Sequence, residues 1–134
     1  MIRSALPLFA AVLVSGCATG HLYPVQGPLL EQKPPPIYDV KMDRADLISA
    51  RLGHGEVCYG NWLDVVKEDP SARDMEAEWD IVYGKGYFAA NVLGHLGIAR
   101  STITCNKGTK VTFEFDSMKG VGKDDKGNVY RITF

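Results

Sequence analysis

Ile98-Ala-Arg-Ser-Thr-Ile-Thr-Cys105-Asn106-Lys107-Gly108-Thr109-Lys110-Val-Thr-Phe-Glu-Phe-Asp116 decides the fold. Its two halves are rich in β-branched and aromatic residues, and Val111, Phe113 and Phe115 recur every second position, the period of a strand with one buried face. Asn106-Lys107-Gly108-Thr109 breaks the pattern with the chemistry of a type I turn closed through a left-handed glycine. Nineteen residues further on, Asp125-Lys126-Gly127-Asn128 repeats that turn. It joins Lys119–Lys123 to Asn128–Phe134, where Tyr130, Ile132 and Phe134 share a face. Ile98–Cys105, Lys110–Asp116, Lys119–Lys123 and Asn128–Phe134 are therefore four expected strands, one hairpin unit used twice.

Working upstream, Ile37–Met42, Leu47–Leu52 and Val57–Val66 read as three more strands. Gly53-His54-Gly55-Glu56 forms a turn between the second and third. In Val57–Val66 one face carries Val57, Tyr59, Asn61, Leu63 and Val65, the other Cys58, Gly60, Trp62 and Asp64. Gly60 marks a bulge or a close backbone approach. The period then lengthens. Asp69-Pro70-Ser71 opens a helix with Ser71 as N-cap and Asp74 in capping-box position, and Ala72, Met75, Trp79, Val82 and Tyr83 form its apolar stripe. Gly84-Lys85-Gly86 ends it. Tyr87–Leu93 is either a second short helix or an extended crossover. The expected fold is mainly β (α+β): one domain over 37–134, an antiparallel meander or small open β-barrel of six to seven strands. A helical insertion at 71–83, extending at most to 94, covers one face or end.

The N-terminus has a different character. Arg3 precedes a short apolar run, Ala5–Val14, too short to span a bilayer and fitting the h-region of a secretory signal. The run ends in Val14-Ser15-Gly16-Cys17, which resembles the lipobox of bacterial lipoprotein precursors. The resemblance implies that residues 1–16 are a signal peptide cut after Gly16, and that Cys17 carries a diacylglycerol and an N-acyl chain. With no other cofactor expected, these acyl chains would hold the protein stably on the membrane. Ala18 after the lipidated Cys implies outer-membrane sorting, with the domain facing the periplasm. Residues 17–36, with Pro24, Pro28 and Pro34-Pro35-Pro36, read as the lipidated Cys and a semi-rigid tether, which extended would reach about 60 Å. Leu22, Tyr23, Val25, Leu29 and Leu30 are unusual in a linker, and a part of it packed on the domain is the alternative. The rest of the chain resembles short, glycine-containing lipoproteins predicted in bacterial outer membranes. Lipoprotein inhibitors of lysozyme are comparable in size and β-content, but no inhibitory loop can be matched here.

Three cysteines divide accordingly. Cys17 belongs to the lipid, and export places Cys58 and Cys105 in an oxidising compartment where a bond between them can persist. If their strands pair antiparallel, the start of one meets the end of the other. Two free buried thiols are the alternative. Removing residues 1–16, whose one charged side chain is Arg3, leaves 118 residues with 14 basic and 16 acidic groups. This near-neutral balance gives no electrostatic case for nucleic acid.

Motifs for catalysis are thin. His21, His54 and His95 are scattered, without metal-ligand spacing, so no metal site is expected. Gly84-x-Gly86-x-x-Ala89 follows a helix instead of a strand and lacks the context of a dinucleotide fingerprint. Asp124-Asp125-x-Gly127-Asn128 is too short for a calcium loop and is accounted for as a turn. Glu56, Glu76, Glu78 and the aspartates can form a carboxylate pair in three dimensions, though such residues on turns and helix faces are usually solvated. Tyr59, Trp62, Trp79, Tyr83 and Tyr87 gather around the strand-to-helix junction and are candidates for a partner surface, with core packing the competing reading. The expectation is a non-enzymatic binding or envelope-structural lipoprotein with the membrane and an envelope protein as partners. A small envelope hydrolase using a carboxylate pair is the alternative.

Overall fold

In the computed structural model, residues 18–43, 46–117 and 119–134 are described. They form eight strands: β1 (Ala18–Gln26), β2 (Tyr38–Met42), β3 (Leu47–Arg51), β4 (Val57–Asp64), β5 (Ile98–Cys105), β6 (Lys110–Asp116), β7 (Lys119–Asp124) and β8 (Val129–Thr133). Each pairs antiparallel with its sequence neighbours, and β1 pairs with β8 to close a barrel. The lipobox, Cys17 included, lies outside the described residues.

Seven strands fall where alternation and turn chemistry place them. The eighth corrects the expectation of a meander or small open barrel of six to seven strands: it comes from the segment read as a tether. β1 runs beside β2 from Ala18↔Met42 to Leu22↔Tyr38, and beside β8 from His21↔Thr133 to Gln26↔Val129. Gly20, Leu22 and Pro24 are buried while His21 is exposed, a strand alternation masked by the prolines. Pro24 sits where the register with β8 shifts, the kind of irregularity at which a missing N–H is tolerated. Closing the sheet removes its two exposed edges. Of the expected tether, 27–36 remain as a connection, with one 3₁₀ turn at Pro28–Glu31.

The interior is filled. Leu22, Ile103, Val111 and Phe113 are wholly buried, with Val40, Ile48, Tyr130 and Ile132 nearly so. The two aromatic faces expected for β6 and β8 thus line one core. Two glycines make room for it. A Cβ on Gly122 would lie 2.8 Å from the Phe113 ring, and one on Gly60 2.7 Å from the Thr102 carbonyl oxygen. The register runs unshifted from Cys58↔Cys105 to Trp62↔Ser101, so Gly60 is the close approach and not the bulge. Gly108 and Gly127 have φ of 97° and 90°, as the two type I turns require.

Residues 65–97 leave the barrel between β4 and β5 and lie on its outer wall. Their helix, α1, spans Glu76–Tyr83, shorter than the 71–83 expected. Ser71 does not cap it: Asp69 Oδ1 accepts from the Ser71 amide and hydroxyl, a local turn that competes with helix entry. The stripe nevertheless packs as its period dictates, with Met75 and Trp79 buried against Phe88, Val92, Ile98 and Val121. Phe88–Val92 is a single wide helical turn, which resolves the open reading of Tyr87–Leu93. Asp80 holds that turn by accepting from the Gly86 and Phe88 amides at 3.1 and 2.9 Å.

Under this insertion lies a buried charge cluster. Glu114, on the outward face of β6, has no solvent exposure. Its carboxylate accepts from Trp79 Nε1 at 2.7 Å and from Arg100 Nε and Nη2 at 2.9 and 2.6 Å. Arg100 also donates to the Ser71 hydroxyl and carbonyl, both at 2.8 Å. The insertion is pinned to the wall through charge-assisted bonds as well as apolar packing.

Candidate functional site

An up-and-down barrel has two unlike ends. One holds the start of β1, the end of β2, the start of β3, both ends of the insertion and the end of β8. The opposite, distal end holds the 27–37 connection, Gly53–Gly55 and the turns at 106–109 and 125–128. Mouths of small barrels are frequent ligand sites, and several polar side chains converge on the distal one.

The cleft there has a volume of about 100 Å³ and is lined by Tyr38, Glu56, Thr109, Asp124 and Tyr130 with apolar Leu29 and Leu52, and by His54 and Lys126. Local sequence explains how each arrives. Glu56 follows the Gly-His-Gly turn, in which His54 takes φ 60°, and only 7% of it is exposed. Asp124 ends β7 and organises the next turn, its two oxygens accepting from the Lys126 and Asn128 amides, Asn128 Nδ2 and the Tyr130 hydroxyl at 2.8–3.0 Å. Asn128 Oδ1 accepts from the Leu29 amide at 2.9 Å and ties the 27–37 connection across the rim. Lys107 Nζ donates to the His54 carbonyl.

Glu56 is less completely satisfied. Its Oε1 accepts from the Thr109 hydroxyl at 3.0 Å and lies 4.0 Å from Lys126 Nζ. Its Oε2 is buried and has no hydrogen-bond partner among the described residues. An unpartnered buried carboxylate oxygen is costly, about 1–3 kcal/mol or more.

Burial raises the Tyr130 pKa far above its usual value, reinforced by its hydrogen bond to Asp124 and the charges of Asp124 and Glu56. Burial also raises that of Tyr38, against a hydrogen bond with the Gly53 backbone. A phenol held neutral in the folded state loses its proton first in the unfolded chain. The unfolded state then binds fewer protons, so stability is intact below about pH 10 and falls above it. Urea unfolding between pH 8 and 11 is expected to lose about 1.4 kcal/mol per pH unit for Tyr130 alone above about pH 10. Tyr130→Phe should flatten that slope; an unchanged slope would refute the assignment.

The aromatic residues expected as a partner surface are divided. Trp79 is wholly buried, because the stripe of α1 packs inward. Trp62 points into the barrel and meets Phe115 edge-on at 6.2 Å. Tyr59, on the opposite face of β4, is 60% exposed and far from the insertion in register. Tyr83 and Tyr87 do stay together, stacked at 4.9 Å and packed on Trp79 at 5.5 and 5.9 Å, with Lys119 Nζ 5.3 and 5.0 Å from the two tyrosine ring centres. Arg131 lies over Tyr23 at 4.8 Å on the strand pair β1–β8. Cys58 and Cys105 are brought together, directly opposed across β4 and β5 with Cα atoms 3.9 Å apart and sulfurs at bonding distance.

Of the carboxylates considered for a pair, Glu56 and Asp124 share the mouth, whereas Glu76 is held by Arg73 and Glu78 lies 3.7 Å from Lys123. Tyr38 and Tyr130 had no signal as site residues, since both read as ordinary strand positions. Among the described residues no group of three or more His, Cys, Asp or Glu side chains could hold a metal ion, and no helix is long and apolar enough to cross a membrane.

No protein-family model, curated protein or solved structure matches the chain. Fold and site together define a small, filled, closed antiparallel barrel with an acidic, tyrosine-lined mouth.

Proposed function

We propose that this chain is a lipid-anchored bacterial envelope protein, a non-enzymatic binding module held at the outer membrane and facing the periplasm. The reading rests on the resemblance of Val14-Ser15-Gly16-Cys17 to a lipobox, and Ala18, the residue after Cys17, is the first of β1. A lipid on Cys17 would hold one end of the barrel at the bilayer with no tether between. The distal mouth and its turns would then be presented away from the membrane to whatever partner the envelope offers.

The anchor has a direct test. Cells fed a labelled palmitate analogue are expected to yield a labelled protein in the membrane fraction. Cys17→Ser should abolish both label and maturation; label retained in that variant would remove the reading. Photocrosslinking residues placed at Lys107 and Lys126, around the mouth, test the binding module, which predicts a single dominant envelope partner.

Glu56 and Asp124 in one cleft favour an envelope hydrolase as the second reading. The four hydrogen bonds that fix Asp124 in its turn fit a structural role better than a catalytic one. Release of soluble fragments from purified envelope polymer, lost in Glu56→Gln, would decide for the hydrolase.

A further inference from the structure

We infer that the distal mouth binds one primary ammonium group, seated on the free Oε2 of Glu56. The inference deepens the binding-module reading by naming the chemistry its exposed end would recognise.

Charge comes first. The cleft lining brings two carboxylates, Glu56 and Asp124, against one lysine, Lys126. That lysine has 63% of its side chain exposed and approaches Glu56 only to 4.0 Å. Asp124 is saturated by its four donors, so the unmet acceptor is Glu56 Oε2. Buried acceptors of this kind are normally partnered, which marks the oxygen as a place for a donor from outside the chain.

Shape and donor geometry narrow the class. Thr109 already donates to Oε1, so Oε2 is the one oxygen without a donor, and a guanidinium, favoured where it forks onto two free oxygens, gains less here than a point-charge donor. An ammonium is a point charge that needs one strong acceptor and tolerates neutral hydroxyls around it. Tyr38 supplies such a hydroxyl, because burial and the acidic neighbours keep it protonated. The apolar walls, Leu29 and Leu52, suit a methylene stem behind the charged tip. The cleft, about 100 Å³, has room for an alkylammonium head with water beside it. Two sources carry this group: a lysine side chain on a partner protein, or a free aliphatic amine.

The full mature chain, lipid included, is titrated in detergent micelles with n-butylammonium and, separately, with the peptide acetyl-Gly-Lys-Gly-amide. Backbone and side-chain NMR shifts are followed, with n-butanol and the norleucine peptide as uncharged controls. Saturable shifts confined to Tyr38, the 53–56 turn, Thr109 and the 124–130 turn are expected for the ammonium probes alone. Glu56→Gln, which keeps an acceptor for Thr109, should weaken binding about tenfold to a hundredfold. Tyr38→Phe provides a second variant that leaves Glu56 in place and should weaken it less. Tighter binding of the peptide would assign the group to a partner's lysine, and tighter binding of butylammonium to a free amine; both support the inference. No saturable shift, equal shifts with the uncharged controls, or affinity unaffected by Glu56→Gln would overturn it. A photocrosslinked partner that docks elsewhere, with the mouth silent in titration, would leave the binding module standing and remove the ammonium site alone.

Discussion

Arg100→Met is expected to lower the stability of the barrel by about 3–5 kcal/mol, the cost of leaving a buried charge without its counter-ion. Glu114 is the reason. Its side chain is fully buried beneath the insertion, and that of Arg100 is 18% exposed. In the native protein the carboxylate is met by the guanidinium fork and by the Trp79 indole. Methionine conserves much of the arginine stem, so packing is largely kept and the charge is what is lost. The same change frees the Ser71 contacts and loosens the entry to α1.

A domain of this size has about 5–15 kcal/mol in hand, so the variant would be severely weakened. The double variant Arg100→Met with Glu114→Leu removes both charges and is expected to recover a large part of the loss, since an apolar pair of similar volume often replaces a buried ion pair without penalty. Urea unfolding of the wild type, the single and the double variant measures this. A single variant within about 1 kcal/mol of wild type would show that Glu114 is not carried by Arg100, because exposed ion pairs give differences of that size.

Removing the Cys58–Cys105 bond is expected to lower stability by about 2–4 kcal/mol. The bond spans 47 residues, and it sits where the sheet most needs it. Every other pair of consecutive strands is joined by a shorter connection, whereas β4 and β5 are separated by residues 65–97. Without the bond, the ends of that long loop must be brought together at a larger entropic cost before β4 and β5 can pair. The paired Cys→Ala variant, compared with the oxidised protein in urea, gives the magnitude. Two free thiols at these positions in the denatured, unreduced protein would show that the bond does not form in solution.

Much of the sheet is legible in the linear chain because strand signals are local. Val111, Phe113 and Phe115 alternate within seven residues, and Gly108 and Gly127 sit where a turn needs positive φ. β1 lacked such a signal. Its inward positions are Gly20, Leu22 and Pro24, of which one is a strong apolar marker, and prolines at 24 and 28 pointed to an extended spacer. Its place is fixed by β2 on one side and β8 on the other, and β8 lies at the far end of the chain. Glu114 was hidden for the converse reason: opposite Phe113 and Phe115 it reads as a solvent-facing residue, and only the folded insertion covers it. The mouth is further still from any linear pattern, since Tyr38, Glu56, Asp124 and Tyr130 come from separate strands and turns.

Strand alternation over seven of eight strands, both glycine-closed turns and the apolar stripe of α1 are written in the linear chain, because each depends on spacing along a short stretch. The bond between Cys58 and Cys105 was one of two open readings, decided by the pairing of β4 with β5. Closure of the barrel, burial of Glu114 and convergence on the distal mouth were decided by the tertiary structure alone. They depend on which faces meet across the whole chain, and the free energy of those meetings, in buried area and in charges that must find partners, exists only once the sheet has curled onto itself.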